Sequence, residues 1–211
     1  WCDWPWQKGM EYKKPRDIVV RLCDLVARNG GLLLSMNPRP DGTFDKAQVD
    51  LLEGIGKWLK QNGEAIYSTT PWKIFAEGHT GILSFTEVRK GVGKGRSNQP
   101  DTTKLNYEDI RFTRNGENLY ATMLGVPPTK QAVIKSLSTK TEISKENKIT
   151  SVELLGHGPV KWERTDKALT IELPANLPNK WALPFKINVE GELDKSEPPY
   201  DEKLMKLPEQ T

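Results

Sequence analysis

Asn29-Gly30-Gly31-Leu32-Leu33-Leu34-Ser35-Met36 joins two kinds of structure within a few residues. Asn29, Gly30 and Gly31 tolerate positive φ, the conformation in which helices commonly stop. The apolar run after them is short, as expected of a strand buried on both faces of a parallel sheet. Upstream, residues 15–28 place Ile18, Val19, Leu22, Leu25 and Val26 on one helical face, with Pro15 near the start. Downstream, Pro38, Pro40, Asp41 and Gly42 form a turn signal. A second helix then runs from about Asp45 to Gln61, with Leu51, Leu52, Ile55, Trp58 and Leu59 as its buried stripe and Asn62-Gly63 as its end. Helix, buried strand, helix is the tail of an α/β layer architecture.

Beyond Tyr67 the period changes. Gly81–Phe85, Ile110–Phe112, Asn118–Thr122, Val133–Lys135, Ile149–Leu154 and Leu169–Leu173 are short and often alternate, and Asn115-Gly116 between two of them is a strong hairpin signal. Trp162–Leu173 also folds back, with Thr165-Asp166-Lys167 at its tip. These strands predict an antiparallel sandwich over residues 71–211, after an α/β portion over residues 1–70. Arg89–Lys104 is rich in Gly, Lys, Arg and Thr and reads as a surface loop; the charged tail Glu192–Thr211, with three prolines, is expected to drape over the surface or to be partly disordered.

The 211 residues carry 31 Lys+Arg against 28 Asp+Glu, a net charge of +3 spread along the chain, which gives no polyanion-binding stripe. No run approaches the roughly twenty apolar residues of a membrane span. Neither nucleic acid nor membrane is the expected partner. The chain opens on Trp1-Cys2-Asp3-Trp4-Pro5-Trp6, three of its seven tryptophans, and does not begin with Met. It is expected to be the end of a longer protein whose targeting segment is out of sight. Cys2 and Cys23 are too few for a disulfide framework and lack the histidine partners of a zinc site, so both read as free thiols.

Few residues announce chemistry. Gly91-Val92-Gly93-Lys94-Gly95-Arg96-Ser97 has the wrong spacing for a phosphate loop, and no helix follows it. His79 and His157 sit near glycines, far apart, in no metal-ligand spacing, and no Gly-x-Ser-x-Gly occurs. Asp3, Glu11, Glu64 and Glu77 lie near the α/β portion, yet no spacing singles out a pair for acid/base work. The tryptophans divide more clearly. Trp58 falls on a helical apolar stripe, and Trp72, Trp162 and Trp181 lie in or beside β segments, so packing explains all four. Trp1, Trp4 and Trp6 precede the first helix, where in a barrel the loops after the strands form the active site and aromatic rings stack on a sugar face; a hydrophobic plug between domains explains them equally well.

A set of motifs nevertheless occurs in order. Asp3-Trp4, Tyr12-Lys13, Asn29-Gly30-Gly31-Leu32-Leu33-Leu34, Arg39-Pro40-Asp41-Gly42, Ile55-Gly56-Lys57-Trp58-Leu59, Asn62-Gly63-Glu64-Ala65-Ile66-Tyr67 and Thr70-Pro71-Trp72 resemble the end of the catalytic barrel of family 29 glycoside hydrolases, the α-L-fucosidases. Asp109–Thr113, Asn118–Ala121, Val152–Gly156 and Leu169–Pro174 resemble the C-terminal β-sandwich of the same family. The resemblance implies the last βα units of a (β/α)8-like barrel followed by an all-β antiparallel sandwich.

It also implies a retaining mechanism in which an aspartate attacks the anomeric carbon of fucose and a second carboxylic acid protonates the leaving oxygen. Both carboxylates are expected upstream of Trp1, so no acid of this chain is assigned a catalytic role. Trp4 and Trp6 are the residues expected to touch the sugar. No cofactor or metal is implied. The expected partners are a fucosylated glycan and the upstream part of the barrel, in a periplasmic or secreted enzyme. Ser35 and Asn37-Pro38 depart from the Asn and Gly-Pro usual at these places in the family. The competing reading is a sandwich that binds carbohydrate or merely supports the barrel.

Overall fold

The computed structural model describes residues 6–78, 104–141 and 147–191. Two helices, α1 (Pro15–Ala27) and α2 (Lys46–Asn62), precede nine strands: β1 (Thr70–Glu77), β2 (Ile110–Asn115), β3 (Asn118–Met123), β4 (Gln131–Ile134), β5 (Lys148–Leu154), β6 (Gly158–Pro159), β7 (Trp162–Arg164), β8 (Leu169–Glu172) and β9 (Leu183–Glu190). All pairings are antiparallel; one sheet runs β1-β2-β3-β9-β5-β6 and the other β4-β8-β7.

Strand alternation makes the large sheet two-faced. Ile110 and Phe112 of β2, Leu119, Ala121 and Met123 of β3, and Leu183, Phe185, Ile187 and Val189 of β9 point inward. There they meet Ala132 and Ile134 of β4 and Leu169 and Ile171 of β8, closing the sandwich core. The intervening residues turn to the helices. Arg111 binds Asp24 of α1, Thr113 Oγ1 donates to the Ala65 carbonyl at 2.9 Å, and the Tyr120 hydroxyl donates to Glu64 at 2.8 Å. The molecule therefore has three layers, helices on one face of the large sheet and the small sheet on the other.

Both expected helices form where the punctuation places them. Pro15 occupies the first turn of α1, and Asn29 at φ +62° follows its last turn, with Gly30 N bonded back to the Leu25 carbonyl at 2.8 Å. The hairpin at Asn115-Gly116 forms as well: Asn115 pairs with Asn118, so the two-residue loop is Gly116-Glu117, with Gly116 at φ +58°. Thr165–Ala168 closes the β7–β8 turn, Thr165 N donating to the Ala168 carbonyl at 2.9 Å.

Three expectations need correction. Residues 32–36 form no strand, and Leu33 is 87% exposed while Leu32 and Leu34 pack on the helices. A parallel strand is stabilised by neighbours on both sides, and the described residues supply none. The buried face of α1 is rotated: Val20, Cys23, Asp24 and Ala27 are buried with Ile18 and Val19, whereas Leu22, Leu25 and Val26 are half-buried. That face includes Asp24, paired with Arg111, a polar contact that an apolar count discards. On α2, Leu51, Ile55 and Trp58 are buried, but Leu52 is 43% exposed and Leu59 half-buried.

The pattern reading also contains no β9, the strand that pairs with both β3 and β5 at the centre of the large sheet. Leu183-Pro184-Phe185-Lys186-Ile187-Asn188-Val189 alternates throughout, with a proline, a residue type rare inside central strands, as its second residue. Pro184 instead lies beside the strand's end, opposite Thr122, and its carbonyl accepts from Leu155 N at 3.0 Å. Gly81–Phe85, the Gly91–Ser97 segment and the tail after residue 191 lie outside the described residues.

Candidate functional site

The acidic candidates separate into structural roles. Glu64 sits in the short helical turn Gly63–Ala65 after α2 and accepts from Tyr120 and from Lys186 Nζ at 2.5 Å; Tyr120 and Lys186 are cross-strand partners on β3 and β9. The Lys186 ammonium, with the Tyr120 hydroxyl, outweighs burial and holds Glu64 below the usual carboxylate range, while burial and Glu64 push the Tyr120 phenol up. Glu77 accepts from Lys135 N and Ser136 N at 2.7 Å each and from Ser136 Oγ at 2.5 Å. Glu11 is exposed. Glu64 and Glu77 are thus fastened to the sandwich by hydrogen bonds; Glu77 also lines a cavity of about 480 Å3 with Glu108, but both of its oxygens are engaged by residues 135 and 136. Asp3 and His79 lie outside the described residues, and His157 is an exposed turn residue.

Of the two candidate sugar-contacting residues, Trp4 lies outside the described residues and Trp6 is half-buried. The Trp6 indole N–H donates to Asp45 Oδ2 at 2.6 Å, and the Tyr12 hydroxyl donates to the same oxygen at 2.6 Å. Arg39 Nε donates to Asp45 Oδ1 at 2.7 Å, its guanidinium also pairs with that oxygen, and its centre lies 6.0 Å from the Trp6 ring centroid. Gln48 Nε2 donates to the Tyr12 hydroxyl at 3.1 Å and to the Asn37 carbonyl at 3.0 Å, and its Oε1 accepts from Asn37 N at 3.1 Å. One carboxylate at the start of α2 therefore fixes an indole, a phenol and a guanidinium around the end of the 32–36 segment. Ser35, a departure from the family pattern, lines a small cavity with Tyr12 and Gln48 just beside this cluster.

The Tyr12 and Trp6 hydrogen bonds, then Arg39, push Asp45 down to about 2. Its two oxygens are fully engaged and ionised, which suits it to orientation and not to proton transfer. The network gives a pH prediction. A folded-state pKa below the unfolded value of about 3.9 contributes stability above that value, which is lost as pH falls through about 2. The Trp6 indole N–H resonance is expected to move in acid with a midpoint near 2; a midpoint near 4 would mean the carboxylate is not engaged.

The sequence identifies Trp6 but not its partners. Asp45 reads only as the start of a helix, and its 39-residue separation from Trp6 leaves no periodic signal. Tyr12 and Arg39 stand inside the quoted motifs, which is the one trace of the cluster in the sequence.

Residues 2–64 match the sequence model of the family Alpha-L-fucosidase, and residues 99–188 match that of the Alpha-L-fucosidase C-terminal domain. The chain belongs to the α-L-fucosidase family. An α-L-fucosidase of Branchiostoma floridae is 26% identical over 178 residues, 82% of this chain and 32% of that protein. The plasma α-L-fucosidase of Homo sapiens is 28% identical over 182 residues, 81% of this chain and 31% of its own length. The α-fucosidase of Thermotoga maritima, solved in complex with fucose, shares the fold with a TM-score of 0.62 at 24% identity, over 87% of this chain and 36% of that one. The chain spans about a third of the length of these fucosidases.

Among the described residues Cys23 is a free, buried thiol, pushed up to about 12 by burial and so unreactive. Cys2 lies outside them. Among the described residues, no helix is long and apolar enough to cross a membrane.

Proposed function

We propose that these residues serve a retaining α-L-fucosidase, residues 1–70 closing its catalytic barrel and residues 71–211 forming its sandwich. The observation that carries the reading is the order of the two family matches, catalytic then C-terminal, along one chain. In this reading an aspartate supplied from outside this chain attacks the anomeric carbon, and the leaving oxygen takes a proton from a second carboxylic acid. Water, deprotonated by the carboxylate that this acid leaves behind, then displaces the aspartate and releases fucose. Trp6, with its indole plane fixed by Asp45, offers its exposed side to the apolar face of the sugar.

The upstream barrel is the partner that Leu33 lacks. Its 87% exposure, in an extended segment with apolar neighbours, suits a strand that pairs with others of the barrel. The sandwich acts as a buttress, supported by the bonds from Arg111 to Asp24 and from Trp58 Nε1 to the Ala182 carbonyl at 3.2 Å. A secreted or periplasmic location accords with the plasma fucosidase among the relatives.

The test assays the 211-residue chain on an aryl α-L-fucoside, alone and fused behind the upstream barrel portion of a related fucosidase. The chain alone is expected to release no phenol above the uncatalysed rate, and the fusion to release it steadily. Turnover by the chain alone would place the carboxylates inside it, and a fusion that is folded by circular dichroism yet inert would overturn the fucosidase reading.

A further inference from the structure

The turn before β9 meets α2 across a groove of about 290 Å3. That is the small end of the range for ligand pockets, roughly 300–1,000 Å3, and suits one sugar residue rather than an oligosaccharide. Its apolar wall is the half-buried ring of Trp181, backed by Trp58. The helix approaches the ring so closely at Gly54 that a Cβ there would lie 3.3 Å from Trp181 Cη2 and 3.0 Å from Pro15. Trp58 contributes no free polar group, because its indole N–H is bonded to the Ala182 carbonyl.

The polar lining consists of Lys57, Gln61, Asn179 and Lys180, and no carboxylate lines the groove. Asn179 Oδ1 accepts from Trp181 N at 3.0 Å and Ala182 N at 3.2 Å, which fixes the orientation of the amide. Its Nδ2 is then a buried donor without a partner, a state that costs about 1–3 kcal/mol. Buried unpartnered groups in folded proteins call for an explanation, and an acceptor oxygen carried by a ligand is one. Lys57 and Lys180 are both exposed, and neither has an ion-pair partner among the described residues. An aromatic ring, a residue with a buried, unpartnered amide donor, and two exposed ammonium groups without an ion-pair partner among the described residues line one groove.

We propose that this groove binds a sugar residue bearing an anionic group, sulfate or carboxylate, with its apolar face on Trp181, a ring or substituent oxygen accepting from Asn179, and the anion between Lys57 and Lys180. The aromatic ring selects a pyranose over a bare ion, and the two cations select an acidic sugar over a neutral one. The inference does not depend on fucosidase activity, since every group belongs to the chain and to one continuous surface.

The test titrates the 15N-labelled chain at constant ionic strength with N-acetylglucosamine 6-sulfate, the methyl glycoside of N-acetylneuraminic acid, neutral N-acetylglucosamine and inorganic sulfate. The Trp181 indole and Asn179 side-chain amide signals report the site. Saturable shifts with at least one acidic sugar are expected, at least tenfold tighter than with neutral sugar or inorganic sulfate, and the sugar that binds names the anion. The pair Lys57→Gln and Lys180→Gln, on exposed side chains, is expected to weaken that binding at least tenfold with the spectrum otherwise unchanged. Asn179→Asp keeps the acceptor for the two backbone amides and replaces the donor by a charge, and is expected to abolish binding. Equal binding of the neutral sugar or of inorganic sulfate, no saturable shift with either acidic sugar, or full binding by the lysine variant would each overturn the proposal.

Discussion

Replacing Asp24 by alanine is expected to destabilise the folded chain by about 3–5 kcal/mol, the cost of breaking a buried ion pair from one side. Arg111 Nε donates to Asp24 Oδ1 at 2.5 Å, and the two side chains are 3% and 5% exposed. Arg28 adds a partly buried contact to Asp24 at 3.3 Å. Without the carboxylate, the Arg111 guanidinium keeps its bond to the Ile110 carbonyl at 3.1 Å but loses its counter-charge between α1 and β2. Total stabilities of domains are about 5–15 kcal/mol, so the loss is a large share. Urea unfolding measures it. The double variant Asp24→Leu, Arg111→Met removes both charges and is expected to recover most of the loss, because the dominant cost is the orphaned charge and not the absent attraction. A single variant within about 1 kcal/mol of the parent would contradict the burial described for this pair.

The same pair shows where the sequence stops being legible. Helix boundaries depend on neighbours in the chain, and Pro15, Asn29 and Asn62-Gly63 mark them well. The rotation of α1 depends on what lies 87 residues away: Asp24 is buried because Arg111 is opposite it, and a count of apolar residues turns the helix toward Leu22, Leu25 and Val26 instead. The failure at 32–36 has the same physical form. Leu32-Leu33-Leu34 has the composition of an interior strand, but pairing is a property of the neighbours. β9 is a third case: its alternation is complete, and Pro184, a residue type confined to edges, strand starts and bulges, sits beside the strand's end. At the candidate site, Trp6 is legible as an aromatic residue without an intrachain core to fill, whereas Asp45 becomes meaningful only once folding places it at the indole N–H.

The two buried tryptophans of the helix layer and the sandwich core are expected to respond unequally to the same conservative change. Trp72 is 1% exposed, packs edge-on against Phe112 with ring centroids 5.3 Å apart, and sits in the cluster that joins the two sheets. Truncation to alanine removes that contact and leaves a large cavity, at a cost of about 3–5 kcal/mol. Its indole nitrogen, however, is buried without a hydrogen-bond partner. Trp72→Phe loses packing area but also removes an unsatisfied donor worth about 1–3 kcal/mol, so the net change is expected to stay within about 1 kcal/mol. Trp58 is 2% exposed, and its indole N–H is used by the Ala182 carbonyl. Trp58→Phe therefore loses packing and also strands a buried acceptor, and is expected to cost more than Trp72→Phe by about 1–3 kcal/mol. Denaturant midpoints of the four proteins decide the matter. Equal losses for the two phenylalanine variants would show that the orphaned nitrogen at Trp72 has a partner in solution. In that case the balance between the helix layer and the sandwich core rests on packing area alone.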